Sequence, residues 1–175
     1  MGRNPEIVAE IIDNLRRVFQ VVNEQSKKAE RETGLTGPQL WAIKTIAQEA
    51  PIMVSDIAQR MYLHPATVVG ILDRLETRGF VARVRSTEDR RVVRVELTDK
   101  GRSLLKKAPE VAQGLLVAGL EKLPGRRLKT IAASLDQMVD ILGAQGIPPH
   151  LILSPEVNAP FRRRTSGTKK RTALR

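Results

Sequence analysis

The sequence predicts a mostly α-helical fold with one small β-hairpin, and three observations carry that prediction. Apolar residues recur at helical spacing over long stretches, most clearly at Ile7, Val8, Ile11, Ile12, Leu15, Val18, Phe19 and Val22. Residues 80–85 and 92–97 are rich in β-branched side chains on either side of a polar turn. Hydrophobic residues make up 41% of the chain but aromatics only 3%, so the core must be built from Leu, Ile, Val and Ala, which suit helices.

The first helix opens at Asn4-Pro5-Glu6, with a capping amide, a proline at the first helical position and an acid near the positive end of the dipole. Its apolar stripe is wide enough to require a second surface. That surface is either the core of the same subunit or a dimer partner, and both readings stand at this stage. Gly34 ends the region. Thr36-Gly37-Pro38-Gln39 opens a second helix with a capping-box pattern, its apolar face formed by Leu40, Ile43, Ile46 and Ala47, and Pro51 stops it. Ser55-Asp56 starts a short helix containing Ile57, Ala58 and Met61. Tyr62-Leu63-His64 is a turn, Pro65 the first residue of the next helix and Gly79 its stop. In that helix Val68, Ile71, Leu72 and Leu75 share one face. At ~100° per residue, Thr67, Gly70 and Arg74 fall on another. Two helices joined by so short a turn match a helix-turn-helix.

The hairpin follows. Thr98 then caps a long helix carrying Leu104, Leu105, Ala108, Val111, Ala112, Leu115 and Leu116, with a bend at Pro109. The run Leu123-Pro124-Gly125-Arg126-Arg127 breaks the pattern. A last helix carries Leu128, Ile131, Ala132, Leu135, Met138, Val139 and Leu142. Residues 147–175 form a Pro-containing segment and a basic tail, expected to be disordered from residue 162 onward. The expected division is a dimerisation helix over 1–34, a lobe over 35–101, dimerisation helices over 102–146 and the tail segment over 147–175.

Helix-turn-helix, hairpin and helix in that order make a winged helix-turn-helix. A major groove ~12 Å wide admits one α-helix, and the helix that enters needs an apolar face toward its own domain and a small or polar face toward the bases. The helix after the turn has both. The hairpin can lie along the neighbouring minor groove, where arginine suits a narrow, negative channel. Expected contacts to double-stranded DNA are therefore Ser55, His64, Pro65, Ala66, Thr67, Gly70 and Arg74 from the helix-turn-helix, and Arg83, Arg85, Asp89, Arg90 and Arg91 from the hairpin. Arg91 inserts, Asp89 braces its guanidinium, and Arg83, Arg85 and Arg90 sit near phosphates. A lone charge cluster such as Glu88-Asp89-Arg90-Arg91 is ordinarily a solvated turn. Its position directly after a helix-turn-helix in a basic chain favours the functional reading.

The net charge is +11, and from Pro155 onward seven basic residues face one acid, which leaves +5 for the rest of the chain. Such an excess points to a polyanionic partner. There is no cysteine, which removes disulfides, thiolate metal sites and cysteine-based redox sensing. No apolar run approaches the ~20 residues that span a bilayer, and the start of the chain carries acids where a signal peptide is apolar, so no membrane partner and a cytoplasmic location are expected. The two histidines, His64 and His150, belong to no Ser-His-acid set or metal-ligand spacing, and no Gly-rich phosphate loop is visible. An enzyme is not expected, nor a cofactor. RNA recognition by base stacking is disfavoured by the scarcity of aromatics. The rival from another class is a winged-helix module that binds protein and has no DNA role.

In residues 35–105 the chain closely resembles the MarR family of transcription regulators. The resemblance rests on Leu35-Thr36 with Gln39, Asp56-Ile57-Ala58, Leu72-Asp73-Arg74-Leu75-Glu76 with Gly79, and the wing pattern Asp89-x-Arg91 followed by Val95, Leu97, Thr98 and Gly101. It implies a homodimer with interlocked terminal helices on a short palindromic operator, acting as a repressor. It also implies that a small anionic or phenolic ligand releases the DNA. Family pockets tend to lie between the dimer helices and the DNA-binding lobe. Trp41 and Phe19 are candidates to line one here, with Lys44 or Arg16 as anion partners, against the plainer reading of Trp41 and Phe19 as ordinary core. Two departures matter. The absence of cysteine excludes the oxidant-sensing members, and Pro65, Ala66 and Gly70 make the reading face plain, so DNA shape and the wing carry more of the recognition.

Overall fold

The computed structural model describes residues 4–85 and 92–151. The expected wing-tip residues Asp89, Arg90 and Arg91 and the basic tail from residue 162 lie outside the described residues. The order of elements is α1 (Pro5–Thr33), α2 (Gly37–Glu49), β1 (Ile52–Met53), α3 (Val54–Arg60), α4 (Pro65–Thr77), β2 (Val81–Arg85), β3 (Val93–Leu97), α5 (Asp99–Leu105), α6 (Ala112–Leu120) and α7 (Gly125–Ile141).

The centre of the fold is α2. Thr36 stands at its N-cap and donates its N–H to Gln39 Oε1 at 3.3 Å, the Gln39 half of the expected capping box. From Gly37 to Ile43 every residue is buried, so for two turns the helix has no solvent face. Ala47, expected on its apolar face, is exposed because the last turn emerges from the core. Around α2 gather Leu35, Ile57, Met61, Val68, Ile71, Leu72, Leu75, Phe80, Val81, Val95 and Leu97 from the short helices and the hairpin. This aliphatic cluster is what the composition required.

The hairpin pairs Val81 with Leu97 through Arg85 with Val93. A third strand, β1, adds to its other edge through Ile52↔Val95 and Met53↔Arg94, so β3 is central in the order β1-β3-β2. A two-residue strand has no alternation to read, and its pairing partner lies about forty residues away, so sequence reasoning missed it. At the far end of the hairpin Thr98 Oγ1 accepts from Gly101 N–H at 3.1 Å and caps α5. A Cβ at position 101 would stand 2.2 Å from the Phe80 carbonyl oxygen, so only glycine fits that close crossing.

The long helix expected after Thr98 is two helices. Residues 106–111 interrupt it, and Val111 and Ala112 are buried where α6 begins. Pro109 lacks the N–H that the ladder needs and disfavours helical geometry at Ala108, so the chain breaks there and does not merely bend.

The terminal helices behave differently from the lobe. Asn4 occupies the N-cap of α1 without a capping hydrogen bond from its side chain, and Gly34 ends the helix at φ 68 with its N–H donated to Glu30 O at 2.8 Å. Only Val22 and Ala29 of this 29-residue helix are buried. Ile7, Val8, Ile11, Ile12, Val18 and Phe19 are all exposed, so the same subunit does not bury the stripe before Val22. None of the residues of α7 is buried, although Ile131, Leu135 and Val139 line one side of it. Among the described residues no helix is long and apolar enough to cross a membrane.

Candidate nucleic-acid interface

His64 stands at the N-cap of α4, and its Nδ1 accepts from Ala66 N–H at 3.2 Å. Pro65 follows at the first helical position, where its missing N–H costs nothing. Val68, Ile71, Leu72 and Leu75 are completely buried, as their spacing predicts. With that face locked against α2 and α3, the rest of the helix is turned outward.

The outward arc differs in detail from the one read off the sequence. His64, Pro65, Ala66 and Val69 are exposed, while Thr67, Gly70, Asp73 and Arg74 are half-buried. Val69 was missed. A β-branched apolar residue reads by default as core, yet it is 40% exposed and lies beside Ala66 on the helix surface. A valine there offers an apolar contact of the kind a thymine methyl takes. Arg74 folds back along the helix, its Nη1 donating to Gly70 O at 2.7 Å. The same nitrogen stands 3.2 Å from where a Cβ at position 70 would be, so glycine leaves room for the guanidinium. Ser55 is exposed at the start of α3, its hydroxyl 3.2 Å from Asp56 Oδ1.

On the hairpin the cations divide into two kinds. Arg85 is exposed at the end of β2, and Arg94 is exposed on β3 beside buried Val95. Arg94 was not among the expected contacts, though its alternation with Val95 is a signal that could have found it. Arg83 is engaged instead by α4. Its Nη2 meets Asp73 Oδ1 at 2.7 Å, its Nη1 pairs with Glu76 Oε2, and its N–H donates to Glu76 Oε1 at 3.3 Å. Burial disfavours the charged guanidinium. The hydrogen bond with Asp73 and the charges of Glu76 and Asp73 outweigh it and hold the group above its ordinary pKa. Arg83 is thus a strut between wing and helix whose charge is already answered. Arg83→Ala is expected to lower stability by ~1–2 kcal/mol, the scale of charge-assisted hydrogen bonds discounted for partial exposure, read as a lower thermal midpoint. Arg83→Lys should recover only part of the loss, because one ammonium cannot fork between two carboxylates.

Behind the outward arc, α4 is tied to the end of α1 and to α5. Arg78, its C-cap, donates to Gly34 O at 2.7 Å, and Lys100 Nζ donates to Arg78 O at 2.8 Å. Both cations lie over the Phe80 ring, at 5.3 and 4.6 Å from its centroid.

Two hollows adjoin this lobe. One is a cleft of about 310 Å³ between α2 and α6, lined by Trp41, Lys44, Thr45, Gln48, Arg60, Glu110, Gly114 and Glu121 among others. Lys44 Nζ is 3.0 Å from Glu110 Oε1 in an ion pair, and Arg60 pairs with Glu49. A Cβ at Gly114 would lie 3.2 Å from the Trp41 ring, so α6 crosses directly over the indole. The four residues expected to line one pocket are split. Trp41 and Lys44 share this cleft, but Phe19 is exposed on α1 and Arg16 is paired there with Asp13 at 2.8 Å, and neither lines it. Of the expected pair of lining residues only Trp41 reaches the cleft, with Lys44 and not Arg16 as its cation, because the first half of α1 leaves the lobe. The other hollow is an apolar groove of about 450 Å³ between α1 and α6, walled by Val18, Val21, Val22, Leu115, Leu116 and Leu120.

The MarR family model matches residues 35–93, from the capping box of α2 to the start of β3. The HTH-type transcriptional repressor MdtR of Bacillus subtilis is 32% identical over 96 residues, 55% of this chain and 62% of that protein, so the chain spans less than two thirds of its length. The organic hydroperoxide resistance transcriptional regulator of the same organism is 30% identical over 121 residues, 69% of this chain and 81% of that protein. Among solved structures, the YusO protein from Bacillus subtilis superposes with a TM-score of 0.50 at 24% identity, covering 79% of this chain and 99% of that one. FabT of Streptococcus pneumoniae, solved in complex with DNA, superposes with a TM-score of 0.50 at 22% identity, covering 78% and 97%. These two likenesses establish the fold. With the sequence matches, they lead to one conclusion: the chain belongs to the MarR family of transcriptional regulators.

Proposed function

We propose that the protein is a homodimeric repressor, working in the cytoplasm, that reads a palindromic stretch of double-stranded DNA. The observation that carries this reading is α4 itself: one face is completely buried, and the other presents small residues from a capped N-terminus. Pro65, Ala66 and Gly70 let the backbone approach base edges closely. The positive end of the helix dipole faces the same way, suited to a phosphate near His64 and Ser55. Thr67 and Arg74 flank this arc. Arg85 and Arg90 serve phosphates from the wing, while Asp89 orients Arg91 toward the minor groove. Arg83 holds the wing and takes no phosphate. A relative that is itself a repressor and a protein of the same fold solved with DNA support the reading.

Selection of bound sequences from random duplexes tests it. The expected product is a palindrome whose half-sites lie about one helical turn, ~34 Å, apart, as a twofold pair of reading helices requires. Recovery of no duplex above background would overturn the DNA reading in favour of a protein-docking role.

The cleft of Trp41 is proposed as the ligand site, for small anionic or phenolic compounds. The indole supplies a flat apolar wall and Lys44 a cation, held beside it by Glu110. The chain has a single tryptophan, so its fluorescence reports on this cleft alone. Benzoate is expected to change Trp41 emission and to weaken duplex binding. Lys44→Met should raise the benzoate concentration required by roughly tenfold, the worth of one charge-assisted hydrogen bond. An unchanged benzoate response in that variant would put the ligand elsewhere.

A further inference from the structure

Tyr62 stands where the end of a helix ordinarily takes glycine. It follows Met61, the C-cap of α3, and at φ 51 it has the sole positive φ of any non-glycine among the described residues. An L side chain in that conformation crowds the following carbonyl, a cost that glycine would not bear. Burial does not offset that cost, because the residue is 68% exposed. The side chain instead reaches across the fold, its Oη donating to Glu121 Oε1 at 2.9 Å, fifty-nine residues away. Glu121 is the C-cap of α6 and also lines the cleft of Trp41. The hydrogen bond and the Glu121 charge hold the Tyr62 hydroxyl above its ordinary pKa of 10.0, so it remains a donor at neutral pH. Two residues further on is His64, where α4 begins.

We propose that Tyr62 is a positioning residue that acts through Glu121, pinning the turn which aims α4 to the end of α6. The unfavourable backbone at position 62 is kept for that tether. The proposal rests on the DNA-reading function given above.

The test measures affinity for the selected duplex and the thermal midpoint, side by side, in the full chain. Tyr62→Gly relieves the backbone, so its midpoint should hold or rise while affinity falls roughly three- to tenfold, the scale of one hydrogen bond. Tyr62→Phe should lose the same affinity. Glu121→Ala should reproduce that loss, although removing a negative charge from a DNA-binding surface by itself tightens binding. Glu121→Gln, whose amide oxygen still accepts from Tyr62, should retain wild-type affinity or better. The double variant Tyr62→Phe with Glu121→Ala should be no worse than either single one, because the two act as a unit. If both Glu121 variants tighten binding while Tyr62→Phe weakens it, Tyr62 touches DNA directly and the tether is wrong. A Tyr62→Gly variant that loses midpoint in step with affinity would show an ordinary structural role and overturn the proposal as well. Wild-type affinity in all four single variants would overturn the tether alone, whereas a wild-type protein that binds no duplex would overturn the DNA reading and the tether together.

Discussion

Replacing Gly70 with glutamate is expected to abolish duplex binding while the fold stands. A Cβ at position 70 meets only the guanidinium of Arg74, at 3.2 Å, the far end of a flexible side chain that can swing aside. The buried face of Val68, Ile71 and Leu72 is untouched. Replacing glycine inside a helix contributes ~0.5–1 kcal/mol in helix propensity, so the thermal midpoint should hold or rise and the far-ultraviolet circular dichroism should not change. The new carboxylate would stand on the outward arc of α4, where phosphates and the acceptor edges of bases must approach. Like charges brought together at an interface cost several kcal/mol, which places the expected loss beyond roughly 100-fold. Anisotropy of a labelled duplex reads it. Retained affinity would mean that α4 presents some other face to DNA.

The second large effect concerns the terminal helices. Leu135 lies between Ile131 and Val139 on a helix with no buried residue of its own, and it is 52% exposed in the single chain. The exposed residues of α1 and the groove of Leu115, Leu116 and Leu120 continue the same kind of surface. So many large aliphatic side chains left exposed on the terminal helices call for a cover, and a second copy of the chain is the proposed one. Light scattering is expected to give twice the 19.5 kDa chain mass for the wild type. Leu135→Glu would bury an unpaired charge at that surface and should give the single mass. Duplex binding should fall by roughly 100-fold or more, because two half-sites would no longer be held by one particle. A Leu135→Glu protein that keeps the double mass would take α7 out of the interface.

The sequence by itself determined the elements whose causes are local. Gly34, Thr36 with Gln39, Pro65 and Thr98 act within about one turn of their own position, so each helix boundary they set was legible. The buried face of α4 was legible for the same reason: Val68, Ile71, Leu72 and Leu75 are spaced by the helix itself, and the outward arc followed by exclusion. Periodicity also exposed the wide stripes of α1 and α7, but it could not say what covers them, since a stripe meant for the same chain and one meant for a second copy are written alike. Only the tertiary structure showed that the same chain does not cover them, by leaving Ile7 to Phe19 and all of α7 unburied.

The rest depended on pairings between residues far apart in the chain. β1 exists because Ile52 and Met53 find β3, and two residues carry no period of their own. Arg83 is a strut because β2 lies beside Asp73 and Glu76 of α4, a meeting that a list of basic residues cannot foresee. Trp41 and Lys44 share a cleft, while Phe19 and Arg16 do not, because α6 crosses α2 at Gly114 and the first half of α1 projects away. Tyr62 reaches Glu121 across fifty-nine residues, out of a backbone conformation that composition would have assigned to glycine. Local rules set where the capped helices α2, α4 and α5 begin and which face α4 hides. The long-range partners of charges such as Arg83 and Glu121 are chosen by the packing of whole elements, and that choice is made only when the chain has folded.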